Sequence, residues 1–134
     1  MTREDLKVYK YNQEFIKDKL EYIEEQKATL YKITSTINDM PVGSRKAEDS
    51  MAEKLAKLMD SFNELLDKIN KMQDRQIEIE EQLLKVDQPY RNILDKIYIQ
   101  GKTLVKVADE MEYDYKHLCY KHGIALNKFD ELDK

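Results

Sequence analysis

The chain has 134 residues, 37% of them Asp, Glu, Lys or Arg, with only three glycines and two prolines. That is the size of about one domain, and the Glu, Lys, Leu and Ile content favours long solvated helices over a thick core. The formal net charge of -4 excludes a global basic field, so a nucleic-acid partner would need a local patch. The single cysteine excludes an internal disulfide framework and fits a reducing compartment. The first ten residues, MTREDLKVYK, are charged rather than apolar, unlike a secretory signal. No run approaches the roughly 18 apolar residues that a membrane span needs. These features predict a cytoplasmic protein with no membrane partner.

The first block, Thr2 to Thr36, contains no glycine or proline. Tyr9, Ile16, Ile23, Leu30 and Ile37 recur every seventh residue, and Leu6, Leu20 and Ile33 widen the stripe. A seven-residue repeat keeps one seam of a helix facing a partner. A loop is predicted at about 36–49, where Asn38-Asp39, Met40-Pro41 and Val42-Gly43-Ser44 supply turn residues.

The second block opens on Ser50 and Glu53, spaced as a capping box. Leu55, Phe62, Ile69 and Leu83 then interleave with Met51, Leu58, Leu65, Met72, Ile79 and Val86. This is the pattern of a coiled coil or a long bundle helix. Gln76 is the one polar member of the first set, a residue type that fixes register at some cost in stability. Met59 and Leu66 widen the face, which predicts more than one neighbour. Residues 1–86 therefore read as a long helical hairpin. Its seam residues Leu55, Leu58, Phe62, Leu65, Ile69, Met72, Gln76, Ile79 and Leu83 are predicted to assemble a homo-oligomer, a dimer or tetramer.

The last block, 87–134, begins a helix at Asp87-Gln88-Pro89, with Ile93, Leu94, Ile97 and Tyr98 on its apolar face and Gly101 at its stop. Thr103 is placed to cap a short helix, TLVKVADEM, whose inward residues are Leu104, Val107, Ala108 and Met111. Glu112-Tyr113-Asp114 reads as a turn, with Asp114 capping the next helix. That helix is predicted to bury Leu118, Ala125, Leu126, Phe129 and Leu132. The spacing is that of a helix-turn-helix, whose second helix, about 115–130, would lie in a major groove.

With Leu118 inward, Lys116, Tyr120, Gly123 and Asn127 fall on the outer face, flanked by His117 and Cys119. From Tyr115 to Phe129 there are three lysines and no acid. Lys neutralises phosphate or donates to guanine, Asn pairs with adenine, and Tyr reaches phosphate or a thymine methyl. Gly123 would allow a backbone to approach closely. Lys102, Thr103 and Lys106 lie where the first helix of such a motif meets the phosphate backbone. The candidate DNA-binding set is thus Lys102, Thr103, Lys106, Tyr115, Lys116, His117, Cys119, Tyr120, Lys121 and Asn127.

Residues Asp87 to Leu132 resemble region 4 of bacterial sigma factors, through PYRNIL, Tyr98, GKTLVKVADEM, Tyr113, Leu118 and Ala125-Leu126. With its long N-terminal helices and DMPVG segment, the chain resembles phage late-gene transcriptional regulators of the ArpU and RinA type. The resemblance implies DNA contact at Tyr115, Lys116, His117, Cys119 and Tyr120, with RNA polymerase as a further partner in a bacterial host. Two positions depart from the sigma pattern: Lys121 where an apolar residue is usual, and Glu112 where glycine is frequent.

Two readings from other classes stand beside a transcriptional activator. One is a phage DNA-packaging adaptor resembling a small terminase. The other is a protein-interaction module that binds polymerase or a repressor without DNA. No enzyme is predicted. GKT at Gly101 lacks the preceding glycine of a phosphate loop, and no nucleophile–base arrangement has supporting context. His117, Cys119 and His122 scatter around a helix, so neither a metal nor another cofactor is predicted.

Overall fold

In the computed structural model of the chain, residues 1–38 and 45–133 are described, with side chains at 1–36 and 50–133. Every regular element among them is helical, as expected for an all-α chain. Helix α1 spans Arg3–Asn38 and α2 spans Arg45–Leu84. Short α3, Tyr90–Leu94, runs into a π turn at Asp95–Ile99, and α4 (Leu104–Glu110) and α5 (Tyr115–Glu131) follow.

The long helices extend further than the sequence suggested. The loop expected at about 36–49 is helical at 36–38 and 45–49, and its remainder lies outside the described residues. Helix α2 starts at Arg45, so Ser50 is inside the helix and starts nothing. The capping-box spacing is a local signature that an interior turn also satisfies. At the start of α1, by contrast, a carboxylate does reach back. Asp5 accepts the Thr2 backbone N–H at 2.9 Å, which satisfies a donor the helix leaves free.

The chain divides into two compact units, residues 1–14 with 73–134 and residues 15–72. The domain boundary expected at residue 86 falls inside the first of these, the C-terminal unit, which takes in the start of α1 and the end of α2. In the 15–72 unit, Ile16, Ile23, Phe62 and Ile69 are buried. A small cavity of about 110 Å³ there is lined by Lys27, Leu30, Met59, Phe62 and Asn63, so these parts of α1 and α2 face each other.

In the other unit, Leu6, Tyr9, Ile79, Leu83 and Val86 form one core with Leu94, Ala125, Leu126 and Phe129. Gln76 is buried, and its side-chain amide donates to the Tyr9 carbonyl at 3.0 Å and to Gln13 at 3.1 Å. The predicted polar seam residue thus has its partners on α1. In the C-terminal unit Met1 meets Gln82 while Gln13 meets Gln76, so the two helices run antiparallel there.

That pairing changes the reading of the predicted oligomer seam. Phe62 and Ile69 in one unit, and Gln76, Ile79 and Leu83 in the other, are buried without a second chain. Leu55, Leu58, Leu65 and Met72 are half-buried. The apolar side chains that remain exposed lie elsewhere. In the C-terminal unit they include Val8, Tyr11, Ile77 and Leu84. Among the described residues of the 15–72 unit they include Phe15, Tyr22, Tyr31 and Met59.

Candidate nucleic-acid interface

Helix α4 begins as the sequence predicted. Thr103 has an extended backbone, and its hydroxyl accepts the Lys106 N–H at 3.2 Å. Val107 and Ala108 face inward and, with Ile93 and Leu118, make a second small core. Ala108 is 5% exposed. Its methyl side chain lets α5 pack closely over α4.

The turn then reverses the chain in few residues. Tyr113 N–H donates to the Ala108 carbonyl at 2.9 Å, and the Tyr113 ring packs on the second core with Ile97, Leu104 and Met111. Glu112 has φ 58, a left-handed conformation that costs an ordinary residue about 1–2 kcal/mol. It is the position where the resembled pattern prefers glycine. Asp114 precedes α5 with an extended backbone but makes no side-chain cap bond, contrary to expectation.

Along α5, Leu118, Ala125, Leu126 and Phe129 are buried as predicted, while Leu132 is 37% exposed. Leu132 follows the last turn and lines an open cleft with Met1, with Gln82 of α2 and with Lys85 just past its end, so its side chain is only partly covered.

The candidate DNA-binding residues fall into three groups. The first is open to solvent. Tyr115, Lys116 and Tyr120 are exposed on the first turns of α5, with Tyr120 at 69%. Lys106 and Thr103 are exposed on α4, and neither Lys106 nor Lys116 forms an ion pair among the described residues. Gly123 follows Tyr120 on the same side of the helix, with open space where a Cβ would project.

The second group is exposed or half-buried but held by neighbours. His117 sets its ring edge-on to Tyr113, with centroids 5.2 Å apart. Cys119 is half-buried beside Tyr115, and its thiol raises the Tyr115 hydroxyl above the usual phenol range. Lys121 replaces an expected apolar residue without loosening the packing. Its stem is half-buried and its ammonium lies 5.5 Å from the ring centres of both Tyr90 and Tyr113.

The third group is engaged inside the chain. Lys102 Nζ is bound to Glu110 at 2.9 Å, and Lys96 Nζ shares that carboxylate at 3.0 Å. Asn127, placed outward by the helical wheel, accepts from Arg3 Nη2 at 2.6 Å. Arg3 also bonds Asp130 through its backbone N–H and its Nε. The start of α1 is thereby tied to the C-terminal half of α5, and Asn127 stays exposed with its amide oxygen engaged.

Sequence reasoning missed Arg3, Lys96 and Glu110 because each acts across elements. It missed the Tyr98–His122 pair for the same reason. Tyr98 Oη lies 2.7 Å from His122 Nε2, with the rings stacked at 5.7 Å. The open surface is therefore smaller than predicted: the first half of α5 with the exposed side of α4, cationic at Lys106 and Lys116 and aromatic at Tyr115 and Tyr120. No family model matches the chain, and no curated protein or solved structure does either. Among the described residues no helix is long and apolar enough to cross a membrane.

Proposed function

We propose that this chain is a sequence-specific DNA-binding transcriptional regulator, an activator of phage or mobile-element genes, working in the cytoplasm of a bacterial host. The observation that carries this reading is the open face of α5. Its exposed residues Tyr115, Lys116 and Tyr120 combine one cation with two aromatic hydroxyls, no acid lies between Tyr115 and Phe129, and Gly123 leaves space beside them. Such a face suits a major groove, where lysine donates to guanine and tyrosine meets phosphate or a thymine methyl. Lys106 and Thr103 on α4 would hold the phosphate backbone. A homo-oligomer would present two such faces to paired half-sites, and RNA polymerase is the further partner that the sigma-like resemblance suggests.

The test is selection of bound duplexes from a random pool with the full chain at moderate salt. An enriched motif supports the reading, and its symmetry reports the number of copies bound. Retention of no duplex, even at low salt, overturns it. Alanine at Tyr120 should flatten preference at one or two positions of the motif, whereas alanine at Lys106 should weaken all sequences alike.

A second reading has one observation in its favour. Lys102 is held by Glu110 and the Asn127 amide oxygen by Arg3, which leaves fewer groups for DNA. A docking surface for a protein needs fewer cations, and a pull-down of polymerase by a chain that binds no DNA would identify it.

A further inference from the structure

Lys102 precedes α4, yet its ammonium lies at the other end of that helix. Nζ bonds both oxygens of Glu110, the last residue of α4, at 2.9 and 3.0 Å. Lys96 Nζ meets the same carboxylate at 3.0 Å. The Lys102 backbone N–H donates to the Lys96 carbonyl at 3.0 Å, so the two lysines converge from a fixed stretch of chain. The three side chains are between 24% and 28% exposed, which leaves them within reach of a phosphate. Ion pairs open to solvent to this extent are weak, typically under about 1 kcal/mol. A DNA phosphate offers the same donors a competing anion, so only the carboxylate's permanent proximity keeps them engaged.

We infer that Glu110 is a specificity-determining residue, which withholds Lys96 and Lys102 from DNA phosphates and so keeps non-specific binding weak. The inference rests on the DNA-binding reading. Non-specific affinity grows with each neutralised phosphate, whereas base readout by the α5 face does not depend on these two lysines. Lys102 and Lys96 in turn hold the Glu110 carboxyl below the ordinary carboxylate range, so the restraint persists to more acidic pH than an unpaired glutamate would allow.

The experiment compares the full-length chain with its Glu110→Gln variant on a random-sequence duplex and on the duplex obtained by selection, across a salt series. For Glu110→Gln the expected result is tighter binding to the random duplex. Its log K against log salt should be steeper by up to about 1.8, from 0.9 for each freed lysine. The ratio of selected to random affinity should fall. Lys96→Gln with Lys102→Gln in the native background should leave the random-duplex slope unchanged, because the pair is already withheld. A slope lower by about 1.8 in that double variant would show both lysines on phosphate already and overturn the inference. So would an unchanged slope in a folded Glu110→Gln chain that still binds the selected duplex; Glu110 would then be a strut and the DNA reading would stand. Failure of the native chain to bind either duplex at low salt would overturn both.

Discussion

His122 is the residue whose protonation the fold resists. Burial lowers its pKa below the ordinary 6.5, and the positive charges of Arg3 and Lys7 lower it further. The folded chain therefore holds it neutral, paired with Tyr98, while the unfolded chain takes up a proton at higher pH. The unfolded state binds more protons between those two values, so stability falls as pH drops below about 6.5. Melting temperature should decline between pH 7.5 and 5.5, and less in His122→Gln, which keeps an acceptor but cannot titrate. Gly123 poses an opposite question at the same scale. A Cβ there meets nothing, so Gly123→Ala should stabilise the helix by about 0.5–1 kcal/mol in a thermal melt. If DNA approaches this face closely, the same change should weaken binding, and a stabler chain with unaltered affinity would place the contact elsewhere.

Among the elements, the short ones carry the sharpest expectations. Thr103→Ala removes the α4 cap and should cost about 1 kcal/mol in denaturant unfolding. Glu112→Gly relieves the left-handed turn and should stabilise the chain, since the strain of about 1–2 kcal/mol exceeds the loss of chain entropy. Phe129, fully buried against residues of α1, α2 and α3, should cost about 3–5 kcal/mol as alanine. The sequence made these elements legible where the signal is local: the apolar spacing of α1, α2 and α5, the Thr103 cap, and the turn at Glu112 to Asp114. It misplaced the start of α2 because Ser50 and Glu53 fit a helix interior as well as a cap. The π turn at 95–99 left no pattern to read, since one extra residue per turn shifts periodicity too briefly to register.

For the molecule as a whole, charge is the limiting property. A chain of net charge -4 whose open face on α4 and α5 presents Lys106 and Lys116 should bind DNA with a shallow salt dependence. A log–log slope of about -2 to -3 is expected, as for two or three phosphates. A much steeper slope would mean that engaged lysines such as Lys102 are released on binding, or that several chains bind together. Self-association belongs to the same scale. Since the Phe62–Leu83 seam is covered by α1 within one chain, an oligomer under the proposed function would use residues such as Leu84 and Ile77. Sedimentation should then show a multiple of 16.0 kDa that Leu84→Glu lowers.

Period and punctuation are properties of consecutive residues. By itself the sequence therefore determined the all-helical class, the two long helices, the short helix pair after Gly101 and most of the residues that pair buries. It also determined that α5 carries lysine and no acid over its first turns. Whether a polar side chain is free is a property of what folds against it. Only the tertiary structure decided that Glu110 holds Lys102, that Arg3 bonds the Asn127 oxygen, and that two tyrosine rings take Lys121. The same holds for the seam of α2, which a heptad pattern describes equally well within a chain or between chains. It is the return of α1, with Tyr9 and Gln13 against Gln76, that closes it inside one molecule.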